Sequence, residues 1–410
     1  MDNKKYILFV DDEPRIINGL KRMLNHMKKD WDMQFVSSGK EALKLMGETT
    51  FDVLVSDMRM PEMNGAELLK QVKQLYPQTI CFILSGFSDL KMILKTVGPA
   101  DQFLNKPCSP ETLKTAILKA LNAQNIIENE QIRSMISKND SLPSMPTIYA
   151  KLSNMISQPY DYSYDEISTV INQDIAMTAK FLKVVNSAFF GIKNPVKSIR
   201  QAIAYLGIET IKSLVLTNNI FIELPENIIT EFNLQELYTH STNVGLIADK
   251  IQKTYKKKTF EDGNQPSEEA FIAGMLHDVG KLILIKNSPE KYKIIQKNYE
   301  NSKKELFIIE KQKLTTSHTE LGGYLMTIWG LQKNIVDSLI YHHNPLEANI
   351  NTPNILTAVH VANALVHAND PNDNKSKINM KYIKSIQLEK LVPQWITIAE
   401  THLNQKIDLK

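Results

Sequence analysis

Five times in the first 125 residues a short apolar run is followed by a helical pattern, and this alternation restricts the fold more than any other feature of the chain. The pairs are YILFV then Pro14 to Lys28, MQFVS then Gly39 to Gly47, DVLVS then Asn64 to Tyr76, TICFILS then Ser88 to Val97, and DQFLN then Ser109 to Ala123. Near-continuous apolar strands separated by helices predict an α/β, doubly wound, five-stranded parallel sheet with helices on both faces. In such sheets functional groups gather beyond the carboxyl ends of the strands.

The polar residues follow that rule. Asp11 and Asp12 close the first run, Asp57 the third, Ser85 the fourth, and Lys106, followed by Pro107, the fifth. Three carboxylates meeting in one small site repel one another unless a cation lies between them, and an all-oxygen set with room for water suits Mg²⁺. Asp57 is then placed to act as a nucleophile toward a phosphoryl group. Lys106 would neutralise phosphoryl oxygens as a point charge, and the Ser85 hydroxyl would hydrogen-bond one of them. Any one of these residues alone reads as a strand-end cap; five suitable types at successive strand ends do not.

VDDEP, SDMRMP, LSG and NKP together resemble the receiver domain of two-component response regulators, a flavodoxin-like fold, over residues 4 to 124. The resemblance implies phosphorylation of Asp57 by a sensor histidine kinase. It implies Mg²⁺ held by Asp12, Asp57 and the backbone carbonyl of Arg59, with Asp11 behind, and a cis bond before Pro107. It also implies a two-position switch of Ser85 and Phe103. Many family members carry Tyr where this chain has Phe103, so only the packing half of that switch carries over.

The bulk composition narrows the setting. Only two cysteines occur, Cys81 and Cys108, with no disulfide or zinc spacing, which fits a reducing compartment. Cys81 reads as strand core, and nothing marks Cys108 as reactive. No apolar run approaches the ~18 residues of a membrane span, and MDNKKYILFVDDE turns acidic too early for a signal peptide, so a cytoplasmic protein is expected, off the membrane. A net charge of +3 gives no argument for nucleic acid. Lys256 to Lys258 and the Lys303, Lys304 pair read as solvated faces. The chain shows no helix-turn-helix with a basic recognition helix, which argues against DNA as the target.

Beyond the sheet the pattern turns helical. The Ser109 helix is expected to end near Ala123 or to run on through Leu121, Ile127 and Ile132 toward Met135 and Ile136; KNDSLPSMP then marks a boundary near residue 140. ISTVINQDIAMTAKFLKVVNSAFF, SIRQAIAYLGIETIKSLVL, LYTHSTNVGLIADKIQ and EEAFIAGMLHDVGKLIL predict an all-α domain, the last as a single buried helix. In the third segment His240 shares the inward stripe of Leu237, Val244, Ile247 and Ile251. His277 and Asp278 lie side by side in GMLHDVGKLIL, His318 starts a helix capped by Ser317 and Glu320, and His342 and His343 are adjacent in YHHNP. Five of nine histidines in one helical region, with a carboxylate, form the donor set a borderline transition ion (Fe, Mn, Ni or Zn) prefers. Any single inward histidine equally reads as satisfied core.

LPSMP, QDIAMTAKFLKVVNSAFFG, AIAYLG, the late Trp329 and MLHDVGKLIL, with Asp174, Asn186, Ser187, Gly191 and Gly207, resemble the HDOD domain, a relative of the HD phosphohydrolases that serves as a signalling output module. The resemblance implies an HD-type helical core. His240, His277 and Asp278 match the HD enzymes, but their closing aspartate is here Asn363, which adds no charge, and HHNPLEANINTP replaces the Gly-Tyr-Pro motif of the cyclic-dinucleotide-cleaving branch. Lys281, one turn after Asp278, offers a second way to neutralise that carboxylate. The expected organisation is a receiver (1–125), a helical linker (126–140), an HDOD output domain (141–370), and a helical tail (371–410) broken at Pro393 and packed on that domain. The expected function is a phosphorelay regulator whose output binds a downstream protein. A metal-dependent phosphodiesterase with a degenerate HD site is the alternative, and a homodimer joined through the 109 to 137 helix also stays open.

Overall fold

The computed structural model describes residues 4–86, 99–127, 129–137, 142–157, 162–187, 196–208, 210–211, 215, 222–223, 225–255, 268–368 and 376–407. The Ser88 to Val97 helix, the Lys256 to Lys258 run, Gly191, the first residues of the KNDSLPSMP boundary and the start of the 371 to 380 loop lie outside the described residues.

The N-terminal unit is a five-stranded, all-parallel sheet with order β2-β1-β3-β4-β5, built from β1 (Lys5–Val10), β2 (Trp31–Val36), β3 (Val53–Asp57), β4 (Ile80–Ser85) and β5 (Gln102–Asn105). Strand order reverses between β1 and β3, so the crevice beyond their carboxyl ends carries Asp11 and Asp57. The helices begin where local chemistry starts them. Ser38 accepts the Glu41 N–H ahead of α2 (Gly39–Glu48), Asn64 and Glu67 cap each other around α3 (Gly65–Leu75), and Ser109 precedes Pro110 at the start of α4 (Pro110–Ala123). The first helix, α1 (Pro14–Met23), is shorter than its pattern suggests, the chain tightening into a 3-10 turn over Asn25–Lys29. Cys81 is fully buried in β4, and burial pushes the Cys108 thiol up to about 11, so neither is a reactive thiolate.

The segment after α4 is not one continuous rod. The chain turns at residues 124 to 126 and a separate helix, α5 (Glu130–Ser137), follows. Arg133 explains the break: its guanidinium donates to the carbonyls of Gln124 (3.3 Å) and Ile127 (2.6 Å), satisfying acceptors that a continuing helix would have used.

Apart from a short parallel pairing of Pro143–Ser144 with Ile222–Glu223, the rest of the described chain is mainly helical: α6 (Pro146–Ser157), α7 (Tyr164–Ile171), α8 (Ile175–Val185), α9 (Ile199–Leu206), α10 (Glu226–Glu231), α11 (Leu234–Tyr255), α12 (Glu269–Leu276), α13 (Val279–Asn287), α14 (Pro289–Glu300), α15 (Leu306–Leu314), α16 (His318–Ile328), α17 (Lys333–Tyr341), α18 (Ile355–His367), α19 (Met380–Ser385) and α20 (Val392–Leu403). Buried Asp174 ties two segments together, one carboxylate oxygen accepting the Met177 N–H of α8 and the other the Met145 N–H at 2.7 Å. Asn186 clamps Val196 through both of its side-chain atoms.

Two sequence expectations are corrected here. EEAFIAGMLHDVGKLIL is two helices, because the chain bends at His277 and Asp278, the latter at φ −101°, ψ 10°. The bend lets α13 press on α16: a Cβ on Gly280 would stand 1.9 Å from the His318 carbonyl oxygen. Likewise α12 crosses α11 where Gly274 meets Gly245, leaving no space for a side chain. In the tail, Pro393 starts α20 instead of breaking a helix; at the first turn its missing N–H costs nothing. Trp395 of α20 is fully buried, and its indole donates to Thr254 of α11 at 2.8 Å, so the tail packs on the helical unit. Lys303 and Lys304 are exposed. Among the described residues no helix is long and apolar enough to cross a membrane.

Candidate functional sites

The strand ends of the N-terminal unit bring the expected residues together. The Lys106 ammonium bridges Asp57 Oδ1 at 2.5 Å and Asp11 Oδ2 at 2.7 Å, while Asp11 Oδ1 accepts the Glu13 N–H. Asp12 is half-buried at the rim. The Arg59 N–H donates to Asp57 Oδ2 at 3.1 Å, so the backbone of residue 59 stands beside the carboxylate. Ser85 is buried at the end of β4, and its carbonyl accepts the Lys106 N–H at 2.8 Å. Phe103 is fully buried in β5, and the Lys106–Pro107 bond is cis. Burial pushes the Asp57 carboxyl up; Lys106 pulls it back and Asp11 adds to the rise, leaving it above its ordinary value. Burial alone would lower the Lys106 ammonium, but Asp11 and Asp57 outweigh it and hold it above its ordinary value. The set is an oxygen-rich pocket whose charge balance already needs a cation.

The helical unit gathers a second set from separate helices. His240 lies on α11, His277 and Asp278 form the α12–α13 bend, His318 opens α16, His342 and His343 follow α17, and Asn363 lies on α18. His277, Asp278, His318 and His342 are almost completely buried. The ring atom Nε2 of His240 lies 3.2 Å from that of His277 and 3.1 Å from Asn363 Oδ1. His318 Nε2 faces Asp278 Oδ1 at 3.3 Å. Donor atoms of His318, His342 and His343 fall within 4.8 Å of one another, as do those of His240, His277 and Asp278.

The Nδ1 atoms explain which way these rings face. His277 Nδ1 lies 2.6 Å from the Gly274 carbonyl and His342 Nδ1 2.9 Å from that of Leu339. Those of His318 and His343 meet carboxylates, Glu310 at 2.6 Å and Glu305 at 2.9 Å. A carbonyl or carboxylate partner makes Nδ1 the donor, so in each neutral ring Nε2 carries the lone pair. Outer partners of this kind orient metal-ligating imidazoles. Nε2 of His318 and of His342, and Asp278 Oδ1, are buried without a hydrogen bond, which costs on the order of 1–3 kcal/mol per group unless another partner is supplied. Burial, with the neighbouring imidazoles, holds His240, His342 and His343 well below the ordinary imidazole range. For Asp278 burial pushes upward, but His277 and Lys281 overcome it and keep the carboxylate ionised. Lys281 takes the other oxygen, Oδ2, at 2.6 Å, the contact its spacing suggests. Asn363 adds a neutral oxygen, 3.1 Å from His240 Nε2, in place of a second carboxylate.

Four residues of this centre escape the sequence reading. Glu305 and Glu310 hold His343 and His318. His360 is a buried strut whose Nδ1 donates to the His342 carbonyl at 2.7 Å and whose Nε2 accepts the Asn379 N–H at 2.8 Å. His367 stacks on His240 with centroids 4.4 Å apart. Signals for them exist: Glu310 falls at i+3 from Phe307 and i−4 from Leu314, an acidic residue on an apolar stripe, and His360, Asn363 and His367 share one helix face. A cleft of about 370 Å³ opens over the cluster, lined by His240, Asp278, Lys281 and His367 with Tyr292 and Tyr299.

Comparison with known proteins divides the chain at the same joint. The response regulator receiver domain model matches residues 7–118, and the HDOD domain model matches residues 142–345. The hydrogenase transcriptional regulatory protein HoxA of Cupriavidus necator is 32% identical over 127 residues, covering 30% of this chain and 26% of that protein. An uncharacterized protein of Treponema pallidum is 22% identical over 234 residues, 57% of this chain and 44% of its own length. The chain thus spans less than half of either relative. Among solved structures, the MmoQ response regulator of Methylococcus capsulatus aligns over 65% of this chain and 94% of its own, at 20% identity and a TM-score of 0.46. The chain belongs to the response regulators, with a receiver domain followed by an HDOD domain.

Proposed function

We propose that Asp57 accepts a phosphoryl group from a sensor histidine kinase and that its phosphorylation controls the HDOD domain, which acts on a downstream protein and not on DNA. The observation that carries this reading is the Lys106 ammonium bridging Asp11 and Asp57 at the strand-order reversal of the sheet. Receiver domains generally use Mg²⁺; here Asp11, Asp12, Asp57 and the Arg59 carbonyl would hold it, offsetting the repulsion between the carboxylates and the incoming phosphate. An Asp57 oxygen then attacks phosphorus as the bond to the donor breaks, and Lys106 and Ser85 receive the phosphoryl oxygens. In this reading the receiver comprises residues 1–125, the linker 126–140, the output domain 141–370 and its supporting tail 371–410. Incubating the full chain with acetyl phosphate and Mg²⁺ and weighing it intact tests the assignment: one phosphoryl group per chain is expected, and none in Asp57→Ala. Retention of the label in that variant would place the acceptor elsewhere.

A second reading of the output domain is favoured by the Nε2 atoms of His318 and His342 and by Asp278 Oδ1, all buried without a hydrogen bond, with His318 Nε2 and Asp278 Oδ1 facing each other at 3.3 Å. These donors fit a borderline transition ion, Fe, Mn, Ni or Zn, held by His240, His277 and Asp278 and by His318, His342 and His343, with Asn363 beside them. Such an ion, when bound, supplies Lewis-acid activation for phosphodiester hydrolysis. The chain's own residues orient the donors through Glu305 and Glu310 and place Lys281 at the cleft for an anionic group. Asn363 removes one charge from that set, so metal binding without turnover is the weaker form of this reading. Assaying metal-loaded full chain on bis-p-nitrophenyl phosphate separates the two: hydrolysis lost in His277→Ala supports the enzyme, and none with any divalent ion leaves the protein-binding module.

A further inference from the structure

The helix α16 reaches from the histidine cluster to the receiver and is pinned at both ends. At its start Glu310 accepts both the His318 N–H (2.8 Å) and its ring Nδ1 (2.6 Å), and Gly280 of α13 lies against the His318 carbonyl. At its end the Ile328 carbonyl, one of the last acceptors that no turn of the helix can satisfy, is taken by a residue of the other domain: Gln102 Nε2 donates to it at 2.7 Å. Gln102 is buried, and Trp329, which ends the helix, is buried beneath the Lys183 ammonium at 4.6 Å from its ring centroid. Receiver helix α4 packs along α16, so the contact is not a single bond in water.

On the receiver side Gln102 opens β5, directly before Phe103, and Lys106 follows the last residue of that strand. Lys106 is the group that holds Asp57 and Asp11. Four strand residues at ~3.3 Å each and eleven helical residues at 1.5 Å each span roughly 30 Å, so two stiff elements joined end to end separate the phosphoacceptor from His318.

We propose that β5 and α16 are one coupling path, with Gln102 as the positioning residue between them. The proposal rests on the reading of Asp57 as phosphoacceptor. A phosphoryl group on Asp57 gives Lys106 new oxygens to hold; the end of β5 follows Lys106, Gln102 moves with the strand, and the seat of α16, and with it His318, shifts. Because coupling between sites is reciprocal, whatever binds at the histidine cluster alters the receiver by the same factor. A path of this kind needs evidence of coupling beyond position in space.

Amide hydrogen exchange on the full chain, with and without Mg²⁺ and beryllofluoride, provides it. In the native protein, loading is expected to change exchange across residues 318–328 about fivefold or more, the low end of known couplings, alongside a change in the β4 segment 80–85. In Gln102→Glu, which keeps the shape but loses the donor, the β4 response persists and the α16 response disappears. A β4 response without an α16 response in the native protein overturns the coupling and leaves the phosphoacceptor reading standing. An α16 response that survives Gln102→Glu overturns the role of Gln102. No response in either segment overturns the coupling together with the phosphoacceptor reading beneath it.

Discussion

The receiver pocket and the histidine cluster solve opposite electrostatic problems. In the first, carboxylates crowd at strand ends and a lysine, Lys106, stands between two of them. In the second, imidazoles surround the Asp278 carboxylate deep between helices, and a lysine, Lys281, takes one of its two oxygens. The receiver pocket lacks positive charge, which suits a hard ion and a phosphoryl group; the cluster lacks partners for nitrogen lone pairs, which suits a softer ion. A charge deficit and a lone-pair surplus thus call for different ligands within one chain.

Asp57→Ala removes the proposed phosphoacceptor, so phosphorylation from acetyl phosphate should fall from one group per chain to none by intact mass, while the helical domain keeps its fold by circular dichroism. Acid should separate the two sites by sign. For His360, burial lowers the folded pKa to about 4, and for His367 to about 3, against about 6.5 unfolded, so between pH 6.5 and 4 the unfolded chain binds protons that the native one does not. Stability of the helical domain is therefore lost as pH falls through that window, by roughly 2 kcal/mol between pH 6.5 and 5 for His360 alone, and His360→Gln should flatten the dependence in urea titrations. Asp57 has the reverse sign: its folded pKa is raised, so its contribution is fully present below the unfolded value and is lost as pH rises through the folded one.

Smaller effects test the supports. Glu310→Gln leaves His318 its neighbour but not its charged one; affinity for Mn²⁺ or Zn²⁺ at the cluster should weaken by about 10–100-fold in calorimetric titration, as loss of an outer-shell carboxylate does. Asn64→Ala removes one half of a solvent-exposed capping box in the receiver and should cost about 1 kcal/mol in thermal denaturation, without touching either site.

The contrast also explains what the sequence made readable. In the receiver Asp11, Asp57, Ser85 and Lys106 each sit at the end of an apolar run and could be placed by counting along single strands. His240 could be put on an inward face from the Leu237 and Val244 spacing, but its meeting with the other histidines depends on the crossing of α11, α12, α16, α17 and α18. Gly245 against Gly274 and Gly280 against His318 set those crossings, and contacts between distant glycines leave no periodic mark. The bend at His277 and Asp278 was hidden for the same reason: the run is apolar on every side, so its hydropathy does not record where the helix stops. The link from Gln102 to Ile328 joins residues 226 apart in the chain and has no local signature.

Elemental analysis of the purified full chain tests the central contrast most directly, with Asp57→Ala on one side and His277→Ala and Asp278→Ala on the other. About one or more equivalents of iron, manganese, nickel or zinc are expected, retained in Asp57→Ala and lost in both cluster variants. A folded native chain carrying none after growth and dialysis with these ions, or a metal that leaves with Asp57, would contradict it.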